Sequence, residues 1–139
     1  MSSEAISLSI RFRHPTMSVL EITSALGVEP AVTHEFGAIR RTPTGREIGG
    51  VYLETYWVCN LTGLAGMELS KAIASANNWV AARESFALRF LGEDGTIEYY
   101  VTLSLGDHLA DELSPMLLAQ CVKYRVKIAF EIFGSCRTD

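Results

Sequence analysis

The sequence predicts an α+β fold: one domain with a mostly antiparallel five-stranded sheet and three helices on one face, in the order β-α-β-α-β-β-α-β. Three observations predict it. Segments near both ends alternate between apolar and polar residues, as half-buried strands do. Two helix starts are marked by local chemistry, at Ser18 and at Ser114-Pro115. Each strand keeps one polar face, so one side of the sheet is left without helices.

Residues 5–13, AISLSIRFR, open the chain as a strand. Ile6, Leu8, Ile10 and Phe12 face one way; Ser7, Ser9, Arg11 and Arg13 face the other. His14-Pro15 ends it, because proline has no ladder donor. Ser18 and Glu21 form a capping box, starting a helix that presents Val19, Ile22, Ala25 and Leu26 and stops at Gly27. Residues 30–50 form a long Gly/Arg-rich loop. A strand over 51–61 follows, with Val51, Leu53, Trp57, Cys59 and Leu61 on one face and Tyr52, Glu54, Tyr56 and Asn60 on the other. The second helix runs from about Gly66 to Val80, with Leu69, Ile73, Ala76 and Val80 at helical spacing.

The stretch SFALRFLGEDGTIEYYVTLSL reads as a hairpin. Phe86, Leu88 and Phe90 point inward, Gly92 to Gly95 turn, and Ile97, Tyr99, Val101 and Leu103 point inward again. Proline at the first helical position starts a third helix through about Lys123. RVKIAFEIF is the last strand, with Val126, Ile128, Phe130 and Ile132 inward.

At 139 residues the chain suits one domain that holds a core without staples. Its 48% hydrophobic and 20% charged residues are those of a globular protein. A net charge of −4 argues against non-specific nucleic-acid binding. No basic start leads into an apolar run, and no apolar run nears the ~18 residues of a span, so neither a signal peptide nor a membrane contact is expected. Cys59, Cys121 and Cys136 are odd in number and widely spaced, which suits a reducing cytoplasm.

Three stretches carry a family likeness: SVLEITSALGVEP, the glycine-dotted residues leading into ETYWVCNL, and the terminal YRVKIAFEIF. In these the chain resembles an uncharacterised bacterial family of small α+β domains, domain of unknown function 4279. The resemblance spans nearly the whole chain. It implies a compact α+β domain and brings no activity, substrate or site residue.

Candidate sites follow from residue chemistry. In the 33–50 loop, Thr33, His34, Arg40, Arg41, Thr42, Thr44 and Arg46 offer donors to an anion, and Gly45, Gly49 and Gly50 let amides approach it. Tyr52, Tyr56 or Trp57 would back such a ligand. No G-x-x-x-x-G-K-[ST] and no G-x-G-x-x-G is present, so the plain alternative is a soluble connection. The outward residues Arg11, Arg13, Tyr52, Glu54, Tyr56, Arg89, Glu98, Tyr100, Lys127 and Glu131 mix charges with tyrosines, which suits a self-complementary homodimer contact. Arg11, Tyr56, Arg89 and Tyr100 are the residues expected in it. The same tyrosines suggest RNA stacking, but the glutamates would repel phosphate.

Asp107, His108, Asp111 and Glu112 include an i, i+4 His/Glu pair, yet a third metal ligand is missing, and helix-capping acids are the simpler reading. No G-x-S-x-G turn is present, and Cys59 and Cys121 read as inert core thiols. The carboxylate pairs Glu93/Asp94 and Asp111/Glu112 sit in turns, where water holds a carboxyl near its ordinary pKa. The leading expectation is a non-enzymatic binding or interaction module acting as a homodimer, without cofactor or metal. The alternatives are a binder of a small anionic ligand or nucleotide through the 33–50 loop, and an enzyme of undetected type.

Overall fold

A computed structural model describes residues 5–104 and 110–134 and is α+β. The strands are β1 (Ala5–His14), β2 (Val32–His34), β3 (Ile39–Arg41), β4 (Glu47–Val51), β5 (Thr55–Asn60), β6 (Thr96–Ser104) and β7 (Lys127–Phe133). The helices are α1 (Val19–Leu26), α2 (Leu69–Ala81), α3 (Glu84–Gly92) and α4 (Pro115–Lys123). The main sheet has five strands in the order β2-β5-β1-β6-β7, and β3-β4 form a separate two-stranded hairpin. β1 is central, antiparallel to both β5 and β6. β2 is antiparallel to β5, whereas β7 runs parallel to β6. The sheet is therefore mixed, with α4 as the crossover that a parallel neighbour requires.

Alternation in β1 behaves as the sequence predicts. Leu8, Ile10 and Phe12 are buried and face the helices, while Arg11 and Arg13 face the open side. Ser18 caps α1 by accepting the amide of Glu21 at 3.1 Å. The reciprocal half of the capping box is not formed, because the Glu21 carboxylate pairs with Arg89 instead. Gly27 closes α1 with φ 74°, a left-handed position that costs glycine little. Ser114 caps α4 by accepting the amide of Leu117, with Pro115 at the first helical position.

The core lies between one face of the sheet and the four helices. Phe12 packs edge-to-face on Trp57 (5.6 Å between centroids) and on Phe90 (5.4 Å). Each such ring, fully buried, contributes about 1.5–3 kcal/mol. Polar groups drawn into the core are bonded. Trp57 Nε1 donates to Thr23 Oγ1 at 3.0 Å, and the Tyr99 hydroxyl donates to Asn77 Oδ1 at 2.7 Å. Arg83 ties two helix ends together: Nε donates to Leu26 O of α1 and Nη1 to Trp79 O of α2, with the guanidinium 3.9 Å over the Trp79 ring.

Several expectations are corrected. The described residues form four helices, and 86–103 is not a hairpin. Residues 84–92 are helix α3, burying Phe86, Ala87, Phe90 and Leu91 at helical spacing while Leu88 is 49% exposed. Gly92 to Gly95 is its C-terminal end, with amides of Glu93, Asp94 and Gly95 returning to α3 carbonyls. The expected strand over 51–61 is two strands, β4 and β5, broken at 52–54; Val51 and Leu53 are exposed rather than inward. Ala25 of α1 is likewise exposed, and the 30–50 loop contains β2, β3 and most of β4. In β7, Phe130 and Ile132 share the helix-side face by register but stay 47% and 59% exposed at the sheet edge.

Candidate functional site

The register of the central strands builds one surface feature. His34 of β2 pairs with Tyr56 of β5, and Tyr56 pairs with Arg13 of β1, so the three share a row on the open face. His34 lies nearly parallel to Tyr56 (centroids 5.8 Å apart, 20° between planes). It stacks more closely on Tyr52, at 4.2 Å and 28°. The Arg13 guanidinium sits 4.6 Å over the Tyr56 ring, and its Nη1 donates to Glu54 Oε1 at 3.3 Å. Together with the exposed Leu53, these side chains line an open cleft of about 550 Å³. Volumes of this order hold small ligands.

Backbone bonds hold the cleft walls. Gly37 N donates to Tyr52 O and Tyr52 N to Ala38 O, locking Tyr52 to the base of the β3-β4 hairpin. The buried Thr55 hydroxyl accepts the amide of Phe36 at 3.0 Å. Glu35 Oε1 accepts the first amide of α1, from Val19, at 2.8 Å. The approach to the hairpin is thus tied to both sheet and helix, and the two tyrosines and His34 are set in place before any ligand arrives.

Of the residues expected to bind a ligand, the structure brings together His34, Tyr52 and Tyr56. Arg40, Arg41, Thr44 and Arg46 lie on or in the turn of the β3-β4 hairpin and do not line the cleft. Arg41 is neutralised by Glu47 at 3.2 Å and donates to Gly45 O. Thr44 bonds Thr42, whose hydroxyl also accepts the Arg46 amide, so the threonines stabilise the turn. Arg13, Leu53 and Glu54 are the cleft residues that sequence reasoning left out of the site. Alternation puts Arg13 and Glu54 on the open side; only the β1-β5 register shows that they meet Tyr56.

The expected interface residues divide. Arg11 lies 3.8 Å over the Tyr100 ring and pairs with Glu98 at 3.3 Å, while the Tyr100 hydroxyl donates to Glu131 at 2.5 Å. That hydrogen bond, with some desolvation, raises the Tyr100 pKa. Arg89 is corrected: it lies on α3, pairing with Glu21 and with Glu93 at 3.4 Å, and not on the sheet. Tyr56 and Tyr100 each carry an arginine over one ring face.

Asp111 acts as a helix cap. Its Oδ2 accepts the amide of Ser70 at 2.7 Å, serving α2, whose own N-cap residue Glu68 makes no side-chain bond. The Ser70 amide holds the Asp111 carboxyl below its ordinary pKa, unlike a free turn residue. Asp107, His108 and Cys136 lie outside the described residues. Cys59 is buried, and desolvation pushes its thiol up to about 11. Cys121 is buried too, its thiol bonding Asn77 Oδ1 at 3.6 Å. Among the described residues no group of three His, Cys, Asp or Glu side chains could hold a metal, and no helix is long and apolar enough to cross a membrane. No protein-family model, curated protein or solved structure matches the chain.

Proposed function

We propose that this protein is a non-catalytic binding module that takes a small planar ring compound in the Tyr52–His34–Tyr56–Arg13 cleft. The observation behind the reading is the stack itself: the His34 plane lies 28° from that of Tyr52 and 20° from that of Tyr56, with a donor (Arg13) and an acceptor (Glu54) at the edge. Ring faces recognise planar ligands, and the paired donor and acceptor suit an amide-like or heterocyclic edge. Arg13 and Glu54 cancel each other's charge, so a neutral or weakly charged heterocycle fits better than inorganic phosphate. This narrows the anion-or-nucleotide alternative to its base-like part. The family likeness stays with this reading as a proposal, since a family without assigned chemistry is compatible with a binding role.

Amide NMR of the labelled protein tests it, with adenine, uracil, nicotinamide and inorganic phosphate as probes. Saturable shifts at His34, Tyr52 and Tyr56 with a heterocycle, lost in Tyr56→Ala, are expected. Shifts at Arg40 and Arg46 with phosphate, or no saturable shift with any probe, would overturn the reading.

A further inference from the structure

We infer that β7 is a homodimer contact, pairing antiparallel with β7 of a second copy about a twofold axis through Ala129. β7 is the last strand of the sheet, and among the described residues none pairs with its far side. Edge strands in soluble proteins are usually blunted by shortness, proline, a bulge or charged side chains, and of these β7 carries only the charges Lys127 and Glu131. β7 has seven residues without proline, and its register with β6 runs unbroken from Lys127 to Phe133. It also leaves apolar surface in water: Phe130, Ile132 and Phe133 are 47%, 59% and 52% exposed. Such an edge presents a row of backbone donors and acceptors ready for another strand.

The side chains specify which strand. Its first five residues, KIAFE, are self-complementary in antiparallel pairing centred on Ala129, while Ile132 and Phe133 extend past them opposite Val126 and Arg125 of the second copy. Lys127 then faces Glu131 of the second copy, and Glu131 faces Lys127, giving two ion pairs on the open side of the sheet. Ile128 faces Phe130 of the second copy, twice, on the helix side, where both are incompletely covered. Other registers lose this match. Moving the axis to Phe130 puts Lys127 opposite Phe133 and Glu131 opposite Ala129. Moving it to Ile128 leaves Lys127 opposite Ala129 and Glu131 opposite Arg125, which precedes the strand, so the Lys127–Glu131 match is lost. A one-residue slip sends each side chain to face the wrong layer.

The result is an isologous contact of the kind most dimers use. It joins two sheets into one of ten strands, β2-β5-β1-β6-β7 continued by its reverse, doubling the five strands of one copy. The aromatic clefts, at the β2-β5 edge, then lie at opposite outer ends, free of the contact. The inference does not depend on what the cleft binds.

Charge reversal tests it by sedimentation velocity on the full chain. Lys127→Glu sets glutamate against glutamate at both pairs, and Glu131→Lys sets lysine against lysine. Each should weaken the dimer about tenfold, since each of two cross-strand pairs changes from attraction to repulsion. The double variant Lys127→Glu/Glu131→Lys reverses both partners and should restore wild-type dimerisation. Wild-type hydrogen exchange at low and high protein concentration is the check free of substitutions, with β7 amides gaining protection as concentration rises. A monomer at all concentrations, a double variant as weak as the single ones, or β7 amides indifferent to concentration would overturn the inference.

Discussion

Asp111 and Ser70 are joined by a 2.7 Å hydrogen bond that closes the N-terminus of α2 from a segment 41 residues downstream. Helix starts leave free amides, and the usual remedy is a local serine, threonine or aspartate. Here Glu68 sits at that position without using its side chain, and the cap comes from the approach to α4. The bond thereby couples two helices that also pack together.

Asp111→Ala should cost about 1 kcal/mol, the typical loss for a missing cap. Its pH dependence has a definite sign. The folded carboxyl is held below its unfolded value of about 3.9, so its contribution is present above that value and fades as pH falls through the lower folded pKa. Asp111→Asn keeps an acceptor and should lose less while flattening this acid limb. Urea unfolding of the three proteins between pH 2 and 7 checks both statements, and identical acid limbs in wild type and Asp111→Asn would contradict the assignment.

Gly95 lies directly against the end of α3. A Cβ there would stand 2.5 Å from Phe90 Cε1 and 2.6 Å from Phe90 O. The ring is fully buried and the oxygen is backbone, so neither yields cheaply. Gly95→Ala should destabilise by about 3 kcal/mol, the upper part of the overpacking range. Gly92→Ala, where added bulk meets nothing within 4 Å, is the control and should cost far less. Thermal unfolding compares the two.

These two sites show what local reading of the chain can and cannot reach. β1, α1, α4 and β6 are legible because their signals are local: strict alternation, or a cap within three residues of the amide it serves. The segment 84–92 is ambiguous, since Phe86 and Phe90 satisfy both a period of two and a helical turn. Leu88 decides it, and its exposure shows only in three dimensions. No capping side chain marks the start of α3, which follows α2 almost directly. β2 is three residues long and owes its existence to pairing with β5. The cleft depends on the same pairing: His34 and Tyr56 are chemically suggestive in sequence, but Arg13 joins them only through the register of β1.

The Trp57–Thr23 bond should behave as a structural requirement. Thr23→Val keeps the shape but removes the acceptor, leaving the indole N–H of a fully buried tryptophan unpaired. The expected loss is about 1–3 kcal/mol, the penalty of an unsatisfied buried donor. Thr23→Ser retains the hydroxyl and should recover most of it. Equal stability of the valine and serine variants in urea would remove the bond from the account of the core.

Cys59 makes a prediction on the alkaline side. Burial is the main cause that lifts its thiol to about 11, opposed by Arg83 and a backbone hydrogen bond from Ile10. The unfolded thiol titrates near pH 8.5. Above that value the unfolded chain releases a proton that the folded chain retains, so stability is full below about pH 8.5 and falls as pH rises toward about 11. Cys59→Ala should be less stable at neutral pH because of the cavity it leaves, yet show a shallower decline between about pH 8 and about pH 10. Staying below about pH 10 limits interference from Tyr99, whose hydroxyl is shifted in the same direction by burial. The same protonation keeps the native thiol unreactive, because the thiolate is the nucleophile. In a Cys136→Ser background, alkylation at pH 8 should therefore spare Cys59, and burial alone should shield Cys121, until urea unfolds the chain. Rapid labelling of Cys59 in the native protein would contradict the buried, protonated thiol, whatever the stability curves show.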